Sequence, residues 1–89
     1  MDVVHDAARH RFTSTVDGYE CEIDYRLADG VMTITHTGVP SPIGGRGHAS
    51  ALTQFAMDHA RAQGWKVIPA CSYAAAWMRR HPEYDDLRA

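Results

Sequence analysis

Eighty-nine residues, 45% hydrophobic and 22% charged with a formal net charge of −2, supply one ordinary globular core and too little chain for two. That charge balance excludes a domain built to coat nucleic acid, which needs a basic face to neutralise phosphates. No apolar stretch approaches bilayer-spanning length, and Met1 to Asp6 lacks the basic and apolar regions of a secretory signal, so residues 1–89 are expected to form one cytoplasmic domain.

Residues 1–9 show no period and are expected to be a loose start. Arg11 to Val16 alternates, with Phe12, Ser14 and Val16 on one side, and Asp17-Gly18 then gives a hairpin turn. From Glu20 to Leu27, Cys21, Ile23, Tyr25 and Leu27 alternate with charged residues, the pattern of a half-buried strand that makes Cys21 a core residue. Asp29-Gly30 is a second hairpin turn. Val31 to Thr37 follows as a β-branched strand in which Met32, Ile34 and His36 share the apolar face. Gly38, Pro40 and Pro42 end it.

Ala49 to Gln63 reads as a helix with Ala49, Leu52, Ala56 and Ala60 on its inner stripe and Phe55 and His59 beside it. Thr53, Gln54, Asp58 and Arg61 fall on the other side, and Gly64 stops it. Trp65 to Ala70 is a short strand, so strand, helix and strand form a βαβ unit with a parallel pair. Ser72 is expected to cap a second helix from Tyr73 to about His81, stopped by Pro82, with Asp85, Asp86 and Arg88 in a solvated tail. Cys21 and Cys71 lack paired-ligand spacing and the histidines lack metal-site spacing, so neither a disulfide framework nor a metal is expected.

The chemistry is expected at Gly44-Gly45-Arg46-Gly47-His48-Ala49-Ser50, where a glycine turn feeds a helix start. The first amides of a helix have no internal partner and carry partial positive charge, and glycine lets a phosphate approach them. Arg46 adds a formal charge. The turn is not a P-loop, because no Lys follows the glycines, and the dinucleotide fingerprint finds Ser50 at its third glycine place.

The stretch resembles the acetyl-CoA-binding motif of the GCN5-related N-acetyltransferases, Gln/Arg-x-x-Gly-x-Gly/Ala, with Gly47 and Ala49 in the last two places and Gly44 where Gln or Arg is usual. Met32 to Pro40 and Pro69 to Tyr84 extend the likeness to residues 10–87, which are similar to the very small GCN5-like members. The resemblance implies an α/β (α+β) acyl-CoA N-acyltransferase fold, mostly antiparallel with one parallel strand pair and two flanking helices. It implies acetyl-CoA as the cofactor and an amine, on a protein or a small molecule, as acceptor; the charge balance and the lack of a spanning stretch already speak against a nucleic acid or membrane partner. Backbone amides around Thr37 to Val39 would hold the pantetheine and polarise the carbonyl. Those of Gly44, Gly45, Arg46, Gly47, His48, Ala49 and Ser50 would hold the pyrophosphate.

Three side chains are candidates for catalysis. His36 would be the general base, or else a hydrogen-bonded core histidine. Cys71 would accept the acetyl group, or else be an inert core residue, with direct attack by the amine as the alternative. Larger family members protonate the leaving thiol with a Tyr on the second helix, and Met78 occupies that place here. Tyr73, Tyr84 or Cys71 substitutes, or the thiolate leaves unassisted. Arg79 and Arg80 would reach the adenosine 3′-phosphate, or else be solvated helix-end charges. So short a chain leaves the acceptor side open, to a protein substrate or to a second copy in a homodimer. The rival reading is a non-catalytic acyl-CoA-binding or regulatory module.

Overall fold

The computed structural model describes all 89 residues. Five strands lie in one sheet in chain order: β1 (Val4–Asp6), β2 (Arg11–Val16), β3 (Tyr19–Ala28), β4 (Val31–Gly38) and β5 (Lys66–Pro69). The first four are antiparallel, and β5 joins β4 in parallel after the crossover helix α1 (His48–Gln63). Both hairpins turn through residue pairs at positive φ, Asp17-Gly18 at 51° and 79° and Asp29-Gly30 at 52° and 74°, which matches the right-handed twist of the strands they join. A second helix, α2 (Ser72–Arg80), follows β5.

One sheet face meets the helices. Phe12, Ile23, Tyr25, Met32, Ile34 and Val67 pack with Leu52, Ala56, Met57, Trp77 and Met78 in a single core. The other face carries Arg11, Glu22, Asp24 and Arg26 and has no covering layer, as the alternation in β3 dictates.

Four expectations are corrected. The N-terminal residues are not loose: β1 pairs with β2, and His5 stacks on Phe12 at 4.3 Å while its Nε2 lies 2.6 Å from the Tyr25 hydroxyl. The inner stripe of α1 is Leu52, Thr53, Ala56, Met57 and Ala60. Thr53 lies inside because its hydroxyl donates to the Ala49 carbonyl at 2.7 Å, whereas Phe55 is left 41% exposed. Cys71, not Ser72, caps α2, its Sγ accepting from the Ala74 amide. The tail forms a 3₁₀ turn over Pro82–Leu87 that buries Tyr84 and Leu87. Arg61 grips the turn with two bonds to Asp86 and one to the Glu83 carbonyl, and the Ala89 amide donates to the Val67 carbonyl along β5.

The fifth correction concerns β4. Its pairing with β3 passes from Tyr25↔Ile34 to Asp24↔His36, leaving Thr35 without a partner, a β-bulge. One extra residue reverses which side chains face the core. Beyond it Thr37 turns inward opposite Ile23, and His36 goes to the open face beside Glu22. On its other edge β4 pairs with β5 only as far as Ile34↔Pro69, where the Ile34 carbonyl accepts the amides of both Ala70 and Cys71, at 3.0 and 3.1 Å. From there the two strands diverge. No helix is long and apolar enough to cross a membrane.

Tyr84 links the tail to α1 through a 2.6 Å bond to Asp58. Burial and that carboxylate push its phenol from an ordinary value near 10 up to about 12. The native state therefore holds this proton more tightly than the unfolded chain, so the contribution is complete below pH 10 and is lost as pH rises toward 12. Tyr84→Phe should cost about 1 kcal/mol at neutral pH and remove this step from stability measured by denaturant titration between pH 9 and 12.

Candidate active site

Past the bulge, β4 runs into a short turn, Ser41–Ile43, whose Ile43 is buried and pins the entry to the glycine segment. Gly44 continues in extended backbone, and its amide is spent on the Ser41 carbonyl at 3.0 Å. Gly45 and Gly47 adopt φ of 75° and 82°, the left-handed region, and Gly47 serves as the N-cap of α1 without any side-chain cap. The first helical bond runs from the Ala51 amide to the Gly47 carbonyl. In consequence the six consecutive amides of residues 45–50 donate to no group of the chain. No acidic residue stands in the first turn to compete for them.

All of residues 45–50 but Arg46 line a pocket of about 210 Å³, together with Val39, Ile43, Gly44 and Tyr73. The sequence-selected turn, Val39 and Tyr73 thus meet in one place. The Ser50 hydroxyl accepts from Trp77 Nε1 at 2.9 Å, which locks α2 to the start of α1 and fixes Tyr73 across the pocket. Burial raises the Tyr73 phenol above its ordinary range, while a bond with Ser50 and the charge of Arg80 pull the other way. Within the turn, His48 Nε2 is buried without a partner.

Cys71 and Thr37 face each other where the strands part, Sγ to Oγ1 at 3.6 Å. The thiol sits at the N-cap of α2. Other expected residues lie elsewhere. His36 is on the open face, its Nε2 3.3 Å from Glu22 Oε1 and its side chain 53% exposed. Gly38 makes room for that ring, since a Cβ there would lie 2.9 Å from Nε2. Arg46 turns from the pocket to pair with Asp17 at 2.8 Å. Arg79 and Arg80 are exposed at the far end of α2 and do not line the pocket. Met78 is fully buried in the core, and Tyr84 is held by Asp58, so Tyr73 is the phenol that the fold brings to the pocket.

Sequence reasoning missed Ile43, Glu22 and Asp17. Ile43 had a signal, an apolar residue between Pro42 and the glycines. Glu22 had a weak one in the strand alternation; Asp17 had none beyond its hairpin. No group of His, Cys, Asp and Glu is placed to hold a metal ion.

A family model described as GCN5-related N-acetyl-transferase matches residues 11–87 of this chain. Among solved structures, the chain is similar to the NMR solution structure of a GCN5-like candidate N-acetyltransferase from Staphylococcus aureus. The two share 27% identity at a TM-score of 0.76, over 99% of this chain and 87% of the other.

The left-handed backbone at Gly47 gives the sharpest test of the turn. A Cβ there meets nothing within 4 Å, so Gly47→Ala tests conformation and not crowding. It should cost about 1 kcal/mol, lowering Tm by roughly 4–8 °C in a thermal melt. An unchanged Tm would mean that the left-handed turn is not required.

Proposed function

The chain belongs to the GCN5-related N-acetyltransferase family, and from that premise we propose that it binds acetyl-CoA and transfers the acetyl group to an amine. The observation that carries the reading is the run of six unpaired amides at residues 45–50 beside a pocket of matching position. An anion bound there is met by backbone donors and the dipole of a 16-residue helix. That is the means by which a pyrophosphate is held without a Lys or Arg in the lining. The thioester of acetyl-CoA supplies an activated acyl group; the chain's residues need only orient it, polarise its carbonyl and manage protons.

The residues at the parting of the strands suit these tasks. Beyond Ile34 the β4 backbone has no partner on the side that β5 has left, and its amides within Thr37 to Val39 that face this side are the proposed pantetheine and carbonyl donors. Tyr73 is the proposed proton donor to the leaving thiolate. A phenol is protonated at neutral pH, the state a general acid needs, and burial shifts it further in that direction. Cys71, capping α2, is the proposed acetyl acceptor: its thiolate bonds to the acetyl carbon as the coenzyme A thiolate departs, and an amine then takes the acetyl group. His36, steered by Glu22 on the open face, is the proposed base for an amine arriving from that side. The uncovered face fits a protein amine as acceptor or a second copy of the chain. The two free thiols suit a reducing compartment, and the cytoplasm is the proposed location.

Calorimetric titration with acetyl-CoA and coenzyme A, intact mass after incubation with acetyl-CoA, and turnover against a panel of amines and lysine peptides test this reading. Saturable binding is expected, with an acetyl adduct that Cys71→Ala abolishes. Tyr73→Phe should lower turnover by about 10²-fold with little change in affinity. Binding without turnover on any amine would favour the non-catalytic acyl-CoA module. Absence of binding to every coenzyme A species would remove the acetyl-CoA reading.

A further inference from the structure

We infer that Arg46 is a positioning residue, not a phosphate ligand: it tethers the glycine turn in its amide-presenting shape, with Asp17 of the β2–β3 hairpin as its anchor. The inference rests on the acetyl-CoA reading above and assigns the control of that site to a contact outside the pocket. Arg46 is the one residue among positions 44–47 with a side chain, because the other three are glycines. Its guanidinium donates from Nη1 to Asp17 Oδ2 at 2.8 Å and from Nη2 to the Pro42 carbonyl at 3.5 Å. One group therefore joins the turn to its own entry and to a hairpin 29 residues away.

The turn needs such a tether. Gly45 and Gly47 sit at positive φ with nothing within 4 Å of where a Cβ would be, and neither has a side chain of its own to pack. Fixing glycine backbone costs more entropy than fixing any other residue, and an unrestrained turn would pay that cost on binding. Between the Gly44 amide, bonded to Ser41, and the Gly47 carbonyl, bonded by Ala51, the chain makes no hydrogen bond except through Arg46. With the cation so engaged, the pocket lining holds no Lys or Arg, and the ligand's charge falls to the six free amides. The pair is exposed, with side chains 53% and 66% accessible, which sets the expected effect at a few-fold.

Calorimetric titration of coenzyme A into the wild type, Asp17→Ala, Arg46→Ala, the double alanine variant and the charge-swapped Asp17→Arg/Arg46→Asp protein decides the matter. A tether predicts that each single variant weakens binding by about 2–5-fold, that the double variant is no worse, and that the swap restores affinity. Tm stays unchanged throughout. A phosphate contact predicts the reverse pattern, with Arg46→Ala weakening binding, Asp17→Ala leaving or tightening it, and the swap weakest of all. That pattern would overturn the inference. Backbone ¹⁵N relaxation of Gly45 and Gly47 gives a reading independent of any ligand. Order parameters should fall in each single variant and recover in the swap, and unchanged values would also overturn it. A wild type that binds no coenzyme A species but shows this relaxation pattern would retain the tether and lose the acetyl-CoA reading.

Discussion

The carbonyl of Ile34 is the point on which the site turns. It accepts the amides of Ala70 and Cys71, the two residues that follow β5, and after it the parallel ladder has no further rung. A sheet ordinarily leaves no backbone donors free within its width, because every strand but the edges is paired on both sides. Here β4 is stripped of its partner in mid-sheet, one residue before a bulge turns Thr37 toward the core side. Free edge, inverted side-chain parity and the cap of α2 at Cys71 therefore coincide. The glycine turn extends the same theme, since six more amides follow without partners.

The electrostatics of the fold are consistent with a site that meets charge through backbone. Arg9 pairs with Asp6, Arg11 with Asp24, Arg46 with Asp17, Arg61 with Asp86 and Arg88 with Asp85, so five of the eight guanidinium groups are committed to surface or tail contacts. Such pairs contribute little to stability one by one. Their effect here is geometric: Arg61 holds the tail against α1, and Arg46 spans the turn. Core packing does the rest, with Trp77 fastened to Ser50 so that the two helices enclose the pocket from both sides.

Most of the scaffold was legible because alternation and turn chemistry are local. The bounds of β2 and both hairpin turns could be read from residue pairs such as Asp17-Gly18, and Gly64 marked the end of α1. What failed depended on contacts distant in sequence. A three-residue strand such as β1 has too few residues to show a period, and it is held by His5 against Tyr25, 20 residues on. The bulge at Thr35 leaves no compositional mark, yet it moved His36 from the expected face to the opposite one. Thr53 was placed outside by polarity, but its hydroxyl is satisfied within its own helix, which lets it be buried. The glycine turn, Val39 and Tyr73 could be singled out from backbone conformation and residue type, and they line one pocket; the engagement of Arg46 could not, because its partner lies on another hairpin.

The sheet order repeats the chain order, and this has a kinetic meaning. Each of the first four strands pairs with its immediate neighbour through a short turn, closures that cost little loop entropy and form early. The pairing of β4 with β5 is different, for it must wait until α1 has formed and swung the chain back across the sheet. On loop-closure entropy alone the meander is expected to form first and the divergent strand pair to close last. Mutations around Ile34 and Cys71 are accordingly expected on the unfolding limb of the kinetics, which leaves the region of the candidate site free to vary without slowing the search for the fold.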